Sequence, residues 1–472
     1  MSKLYIFAIG GTGSRVLRSL TMLLASGVDM SAKGIDTIVP IIIDPDFGNA
    51  DLTRTVDTLR KYCKIRENLS FSASNRNKFF REKISDVLDG YRFNLLNTNS
   101  KLFSQFINIA SMDRENQAMT KALFSRGNLD SNMNVGFKGN PNIGSVVLNQ
   151  IVESPDFEVF ANGFSKGDKI FIISSIFGGT GASGFPLLLK TLRTNKKIQN
   201  FALINQSEIG AVTVLPYFAL KSNVDSAVDS STFISKAKSA LAYYEDNIAG
   251  QIEALYFVAD DIYNNYENVD GGENQKNDAH LIELLSASSI VDFSNKEHKI
   301  GDTKNFEFGL KDSVSEEVSF NDFYDTFQSD VLKPMIQLVL FSNCFKNQKS
   351  FIKSGTLNAN RRIDNYKDFY NSPFVKDLES FLCNEFLGWL GEMNRNIRHL
   401  HLCEFDKSLK PFDVIKGIHS KKLFSTKSGY NLFFDRLNRE ERHCDRTSKS
   451  NDKLVEMYYL ATKCLVQEKF NF

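Results

Sequence analysis

The stretch that decides the fold is a glycine-rich octapeptide, Phe177-Gly178-Gly179-Thr180-Gly181-Ala182-Ser183-Gly184. An apolar run at 169–176 leads into it, and a second apolar run at 185–192 follows it. This order predicts a strand, a glycine-rich turn and a helix. Glycines leave backbone N–H groups accessible, and the N-terminus of the helix adds unpaired donors and a partial positive charge. The stretch therefore predicts a phosphate-binding turn, and the alternative is a tight strand-to-helix turn without a ligand.

One familiar phosphate-binding motif can be excluded at this stretch. Gly179 and Gly184 have the spacing of the Walker A glycines, but Phe185 and Pro186 stand where that motif requires Lys and Ser or Thr. The sequence therefore does not predict a P-loop NTPase at this site.

The beginning of the chain repeats the same arrangement. Residues 4–9 form a strand-like run, and residues 15–24 show helical spacing of apolar side chains. The loop between them is rich in glycine, Gly10-Gly11-Thr12-Gly13-Ser14. It can be interpreted as a dinucleotide-binding fingerprint, but the third glycine of that motif is missing, because Val16 follows Arg15.

The next predicted strand, residues 38–43, ends at an acid, Asp44. In a Rossmann-type NAD-binding protein this acid would bind the ribose hydroxyls, which keeps a nicotinamide-binding alternative open. An Asp that caps the following turn is the structural alternative.

A third shaped loop lies at residues 134–145, where three glycines and one proline stand close together. Gly139, Asn140 and Pro141 are at its centre. The loop is a candidate ligand-binding segment, and a structural Ω-loop is the alternative.

Composition excludes several classes of protein. The 472 residues leave room for two or three domains, and the formal net charge of +1 does not indicate a nucleic-acid-binding surface or a polybasic membrane anchor. No apolar run is long enough to span a bilayer, and residues 4–9 do not have the pattern of a signal peptide. The six cysteines form no CxxC pair, which is typical of reduced thiols in a cytoplasmic protein.

The octapeptide resembles the signature loop of the tubulin/FtsZ family, GGGTG[ST]G, with Phe177 in place of the first glycine and one extra residue between Gly181 and Gly184. Other segments resemble that family in the same order along the chain: the first glycine loop, the Gly/Asn-Pro loop at 134–145, a Val-Thr-x-x-Pro strand at 209–218, an Asp-ended strand at 254–261 and a central helix at about 276–292. The resemblance covers roughly residues 3–293 and is closest in kind to the divergent prokaryotic tubulin-like members. A NAD-binding enzyme explains only the first loop and Asp44.

The resemblance implies an α/β fold, a three-layer parallel sheet with helices on both faces, in which a nucleotide lies across the carboxyl ends of the strands. It implies GTP or GDP as the ligand, with Mg²⁺ on the phosphates. Asn277 and Asp278 would lie in the first turn of the central helix, where the family reads the base, and Asp278 would accept two hydrogen bonds from guanine. The implied nucleotide-binding residues are Gly10, Gly11, Thr12, Gly13, Asp44, Gly139, Asn140, Gly178, Gly179, Thr180, Gly181, Asp261, Asn277 and Asp278.

The resemblance places hydrolysis in the loop after the central helix, which acts on the nucleotide of the next subunit. FtsZ carries Asn-x-Asp-Phe-x-Asp there, and in this chain Asp292 matches the Asp of the Asp-Phe pair, whereas Ile290 and Asn295 replace the Asn and the second Asp. Asp292 is the candidate catalytic residue, and an Asp that ends the helix is the alternative. Without a second acid a polarised water is harder to hold, so GTP binding with slow or partner-dependent hydrolysis is expected.

The chain is expected to contain a tubulin/FtsZ-like GTP-binding domain, 1–295, with a helical insertion at about 50–130, and a mostly helical C-terminal domain, 296–472. Helical patterns occur at 77–88 and 102–109 in the insertion and at 331–345, 374–393 and 453–467 in the tail. Three function classes remain: a GTP-dependent cytoskeletal filament that self-assembles, a GTP-binding switch or scaffold with an unknown protein partner, and a nicotinamide enzyme.

Residues 397–403 alternate like a strand and place His399, His401 and Cys403 on one face. These residue types bind metals, but the spacing gives no fourth ligand, so no metal site is predicted.

Overall fold

A computed structural model of the chain describes all residues outside a set of short segments, namely 1, 73–74, 99–100, 134–135, 138, 221–231, 262–263, 267–271, 273–275, 312–315, 354–358, 361–362, 405, 407–408, 419–428, 445–447 and 471–472. The described strands are β1 Ser2–Ile9, β2 Ile35–Ile43, β3 Lys169–Ser175, β4 Ile209–Val214, β5 Phe218–Leu220, β6 Ala254–Val258, β7 Asn264–Tyr266, β8 Lys304–Glu307, β9 Glu317–Val318 and β10 His399–Leu400.

Among these residues, six strands form one parallel sheet in the order β2-β1-β3-β4-β6-β8. The other strands form two small parallel pairs, β5 with β7 and β9 with β10. Residues 4–9 of β1 and the whole of β3 are buried, as expected for parallel strands that are covered on both faces. The strands predicted from the apolar runs are therefore confirmed.

The described helices are α1 Gly10–Ala25, α2 Ala50–Glu67, α3 Phe103–Phe106, α4 Arg114–Leu123, α5 Arg126–Leu129, α6 Pro141–Leu148, α7 Pro155–Gly163, α8 Thr180–Thr194, α9 Phe201–Asn205, α10 Phe233–Asn247, α11 Leu281–Ser294, α12 Asp325–Phe327, α13 Lys333–Lys353, α14 Tyr366–Phe369, α15 Pro373–Ser380, α16 Leu387–Asn394, α17 Tyr430–Glu440 and α18 Ser450–Lys469. Two π-helical turns, Gln328–Leu332 and Phe381–Phe386, continue into α13 and α16.

The sheet order reverses between β1 and β3. From β1 the chain crosses through α1 to β2 on one side, and from β3 it crosses through α8 to β4 on the other side. Because such crossovers are right-handed, α1 and α8 cover opposite faces of the sheet. α1 packs with α2 and α11, whereas α8 packs with α6. The carboxyl ends of β1 and β3 therefore form a topological switch point, where open α/β sheets bind their ligands.

The C-terminal region is mostly helical, as predicted, and it packs against the α1 and α2 face. The Trp389 side chain of α16 is fully buried, and its Nε1 donates to Ser19 Oγ of α1 at 3.2 Å. α13 also contacts α1, and α15 contacts α2. Within the described ranges, none of the helices has the length and apolar character needed to cross a membrane.

The insertion is less helical than its sequence pattern indicates. α2 begins it, and α3 and α4 lie within it, but the prediction of a helix at 77–88 is wrong, because this segment is irregular. Asn77 Oδ1 accepts from the Phe79 N–H at 2.9 Å, and Asp86 Oδ1 accepts from the Tyr91 N–H at 3.0 Å. Such side-chain bonds to the local backbone compete with helix formation.

Candidate functional site

The two glycine loops lie side by side at the switch point. α1 begins at Gly10, directly after β1, and α8 begins at Thr180, five residues after β3 ends at Ser175. A Cβ atom placed on Gly10 would lie 3.4 Å from Thr180 Cβ and 3.6 Å from the Gly181 nitrogen. The N-termini of two helices on opposite faces of the sheet therefore converge, and each supplies N–H groups without an intrahelical acceptor. This arrangement is suited to a polyanion such as a phosphate chain.

Different structural reasons account for glycine at different positions of these loops. A Cβ on Gly13 would lie 2.6 Å from the carbonyl carbon of Ala8, and one on Gly181 would lie 2.8 Å from the nitrogen and oxygen of Ser175. These two glycines allow a helix to pack closely on its strand. Gly10 has a φ of +72°, which glycine adopts without strain.

Neither close packing nor a positive φ accounts for glycine at position 11. Its φ is not positive, and no atom of the described residues lies within 4 Å of a Cβ built on it. It is half-buried, as are its neighbour Thr12 and, across the gap, Gly178 and Thr180. The space beside Gly11 is open, and Gly11 lies in the first turn of α1, so this position fits a ligand that approaches the bare backbone.

The third predicted loop packs directly on the glycine loop before α8. Asn140 caps α6, because its Oδ1 accepts from the Asn142 N–H at 3.0 Å. A Cβ on Gly179 would lie 3.0 Å from the Asn140 nitrogen and 3.2 Å from the Gly139 nitrogen. The structure therefore brings Gly139 and Asn140 to the glycine loops. Asn134, Val135 and Lys138 of this loop lie outside the described residues.

Lys236 is a basic side chain that the sequence did not assign to the site. It belongs to α10, and its Nζ donates to the Gly139 carbonyl at 3.0 Å. The two glycine runs contain no Lys or Arg. The Lys236 ammonium therefore supplies, next to the third loop, a positive charge that the glycine runs lack. No sequence signal points to it, because it lies 97 residues after Gly139.

Asp44 lies at the carboxyl end of β2 but is buried. Its Oδ1 accepts from the Asp46 N–H at 3.0 Å, and burial raises its pKa to about 7. Asp46 Oδ2 in turn accepts from the Gly272 N–H at 2.7 Å. This turn is thus held against the segment that precedes α11. Gly272 stands between two segments that lie outside the described residues, 267–271 and 273–275.

Asp261 is exposed at the end of β6. Its N–H donates to Asp260 Oδ1 at 2.8 Å, and Asp260 forms an ion pair with Arg398 of the C-terminal region. Burial is the main cause that raises the pKa of Asp260. The polar end of β6 is therefore tied to the segment before β10.

Asn277 and Asp278 do not form the first turn of the central helix, so that prediction is wrong. α11 begins at Leu281, because His280 caps it: His280 Nδ1 accepts from the Ile282 N–H at 3.2 Å. The Asp278 carboxylate accepts two hydrogen bonds, at 2.8 and 2.9 Å, from the guanidinium of Arg395.

The residue before it, Asn277, is held by its backbone. Its N–H donates to Asp51 Oδ2 at 3.3 Å, and its carbonyl accepts from Arg54 Nη2 at 2.8 Å. Side chains of α2 and of the C-terminal region thus bind the segment that was predicted to read the base.

A buried ionic network, which the sequence did not predict, adjoins this segment. Arg15 Nε of α1 lies 2.9 Å from Glu283 Oε1 of α11, although the two groups are not aligned for a hydrogen bond. Arg15 also donates to the Tyr217 hydroxyl, just after β4, and lies 3.8 Å from Asp51 Oδ2. Burial raises the pKa of Glu283 to about 7, against the opposing effect of Arg15. Burial and the positive charge of Arg15 lower the pKa of His280 to about 3.

The second half of the network is centred on Glu392 of α16. Its carboxylate binds Arg18 Nη1 at 2.8 Å and Arg54 Nη1 at 2.9 Å, and it accepts from the Ala279 N–H at 3.0 Å. One acid of the C-terminal region therefore joins α1, α2 and the segment before α11.

Asp292 lies in the last turn of α11, about 16 Å along the helix axis from its first residue. Tyr256 donates its hydroxyl to Asp292 Oδ2 at 2.7 Å, and Lys296 Nζ lies 2.8 Å from Oδ1. Asp292 is therefore remote from the glycine loops of its own chain. Its catalytic role stays a prediction that depends on a neighbouring subunit.

No known protein-family profile matches the sequence, and no curated protein matches it. Among solved structures, the chain is similar to CetZ2 from Haloferax volcanii in a GTPγS-bound protofilament, with 15% identity, a TM-score of 0.29 and coverage of 62% of this chain and 58% of that chain. It is also similar to CetZ from Methanosaeta thermophila, with 17% identity, a TM-score of 0.24 and coverage of 62% and 51%. The chain thus spans less than two thirds of the length of either protein.

Proposed function

We propose that this chain is a guanine-nucleotide-binding, tubulin-like protein, a slow or partner-dependent GTPase that acts as a switch or scaffold or assembles into filaments. The observation that carries the proposal is the convergence of two glycine-loop helix N-termini at the switch point of a parallel sheet. Two such loops surround a phosphate chain from both faces of the sheet.

The residues of the site fit a phosphate chain. Backbone N–H groups of Gly11, Thr12 and Thr180 would donate to the phosphates, and the open space beside Gly11 admits the ligand. Lys236 adds a positive charge next to the third loop. Mg²⁺ bound to the phosphate oxygens would neutralise further charge, which helps because the glycine runs contain no cationic side chain.

Guanine recognition is proposed for Asp278, with Asn277 as the neighbouring contact. The Asp278 carboxylate is half-exposed and already accepts two parallel N–H bonds from Arg395. The edge of guanine offers the same pair of parallel donors, so a base would replace Arg395 at this carboxylate. Nucleotide binding is then coupled to a contact of the C-terminal region.

The NAD-binding alternative is disfavoured by the same geometry. It assigns no role to the loop at α8, and it needs Asp44 to face a ribose. Asp44 is 5% exposed, and its carboxylate accepts from the Asp46 N–H. The contacts of the acid thus support a structural role in the turn.

The purified protein is expected to bind GTP or GDP with micromolar affinity or better, about −8 kcal/mol, and to bind ATP and NAD more weakly. Gly11→Asp should weaken guanine-nucleotide binding by about a hundredfold, about 2.8 kcal/mol, because the new carboxylate would face the phosphates. Isothermal titration calorimetry measures both quantities.

Two variants separate charge, size and fold in this test. Gly11→Asn has nearly the same size without the charge, so it should bind more tightly than Gly11→Asp. Gly309→Asp introduces the same residue at another open glycine with no positive φ, and it should bind like the wild type. Binding of NAD without guanine nucleotides, or normal GTP binding by folded Gly11→Asp, would refute the proposal.

GTP hydrolysis by the isolated protein is expected to be slow or absent, because only Asp292 remains of the two acids in the FtsZ pattern, and it lies in the last turn of α11, where Tyr256 and Lys296 engage it. Phosphate release against protein concentration measures this. A steep rise above a critical concentration, abolished by Asp292→Ala but not by the exposed-acid control Glu297→Ala, would instead identify an active filament GTPase.

A further inference from the structure

Three potential metal ligands meet on the small β9–β10 sheet, away from the glycine loops. Glu317 belongs to β9, His399 belongs to β10, and His401 follows directly after β10. The two strands are parallel, and Glu317 is the register partner of His399. One ligand atom from each of the three side chains lies within 4.8 Å of the others, so one ion can contact all three.

The backbone holds these side chains on one face. The His399 N–H donates to the Glu316 carbonyl at 2.8 Å, and the His401 N–H donates to the Val318 carbonyl at 2.8 Å. Alternate residues of a strand point to opposite faces. Leu400 and Val318 are accordingly buried, whereas the three polar side chains lie on the accessible face. Sites on paired strands are more rigid than sites on loops.

The hydrogen bonds also orient the imidazole rings. His399 Nδ1 lies 3.1 Å from the Ile397 carbonyl, which can only accept, so Nδ1 donates and Nε2 is the nitrogen with the lone pair in the neutral imidazole. A backbone carbonyl that fixes the tautomer in this way is a common companion of metal-binding histidines. His401 Nδ1 lies 2.8 Å from Glu317 Oε1. A cation can replace the proton shared by these two groups and contact both.

We propose that Glu317, His399 and His401 bind one divalent transition-metal ion of the zinc class. Two imidazoles and one carboxylate are a known ligand set for zinc, with the fourth position left to water or another ligand. Imidazole ligands favour zinc and its neighbours over Mg²⁺ and Ca²⁺, which prefer oxygen. The bound ion joins the segment after β8 to the segment after α16.

Cys403, which the sequence placed on the same face, is not part of the site. It is 5% exposed, its backbone forms an isolated bridge with Ile415, and among the described residues its Sγ is not one of the ligand atoms that lie within 4.8 Å of one another. Burial raises its pKa, which keeps the thiol neutral. The carboxylate that replaces it comes from 82 residues earlier in the chain (399 − 317), so spacing in the sequence could not reveal it.

Calorimetry with ZnCl₂ on the full chain, without a histidine tag and after chelator treatment, tests the proposal. The wild type is expected to bind one equivalent with micromolar affinity. His399→Gln and His401→Gln should each weaken binding by more than about tenfold, and the double variant by more than about a hundredfold. The exposed His443 lies outside the cluster, so His443→Gln should leave zinc binding unchanged.

Thermal unfolding without metal checks that the variants are folded, and added zinc should raise the melting temperature of the wild type but not of the double variant. Cobalt substitution gives a second readout on the wild type alone, because imidazole ligation in a four- or five-coordinate site gives strong visible absorption. The proposal is overturned by any of three results: no zinc binding at millimolar metal, equal binding by the double variant, or a cobalt spectrum of the weak six-coordinate aqua type.

Discussion

Glu392→Ala should lower the free energy of unfolding by about 3–5 kcal/mol, because it leaves the buried Arg18 without its carboxylate and leaves the half-buried Arg54 with Asp51 alone. Arg18 and Arg54 have side chains that are 4% and 14% exposed, and each contacts Glu392 within 3 Å. The Ala279 N–H loses its acceptor as well. Urea denaturation followed by circular dichroism measures the loss as a lower midpoint at an unchanged slope.

Two controls accompany this variant. Glu392→Gln keeps the size and one acceptor oxygen, so it should lose less stability than Glu392→Ala. Asp325 also forms an ion pair, with Lys311, but its side chain is 94% exposed, so Asp325→Ala should leave the urea midpoint unchanged within error. Equal midpoints for Glu392→Ala and the wild type would show that the network does not stabilise the fold.

Asp44→Asn should stabilise the protein at pH 8 by up to about 4 kcal/mol relative to the wild type and should have little effect near pH 4. Burial raises the pKa of Asp44 to about 7, above the value of about 3.9 for an unfolded Asp. The folded protein therefore keeps a proton that the unfolded chain releases between about pH 4 and pH 7. The contribution of Asp44 to stability is full below this window and is lost as the pH rises through it.

The measurement is the difference between the two unfolding free energies at several pH values. The difference removes the contributions of Glu82 and Glu283, whose pKa values burial also raises to about 7. Asn can still accept the Asp46 N–H, so the turn is preserved. Parallel stability curves for variant and wild type would show that Asp44 is ionised in the folded protein at neutral pH.

The sheet and its glycine loops could be predicted because their signals are local. An apolar run such as 169–175 is buried on both faces wherever it lies in a parallel sheet, and a glycine run before a helix has few other uses. The start of α11 was missed because residues 276–280, which are polar except for Ala279, carry no signal that separates a first helical turn from the segment before a cap at His280.

Sequence patterns could not identify the side chains that pair with the predicted site residues. Arg395 faces Asp278 across 117 residues, and Glu392 faces Arg18 across 374 residues. A single chain gives no periodicity or spacing for such pairs. For the same reason Glu317 was missed as the partner of the two histidines, although His399 and His401 themselves are adjacent on one strand face.

The contact between Ser19 and Trp389 has a consequence for synthesis on the ribosome. The two residues are 370 positions apart, and at about 5–20 residues per second the second follows the first by roughly 20–70 s. During that interval the face of α1 that will receive α16 stays in water, with Arg18 still lacking its carboxylate. A truncated or stalled chain would present this face to chaperones and proteases.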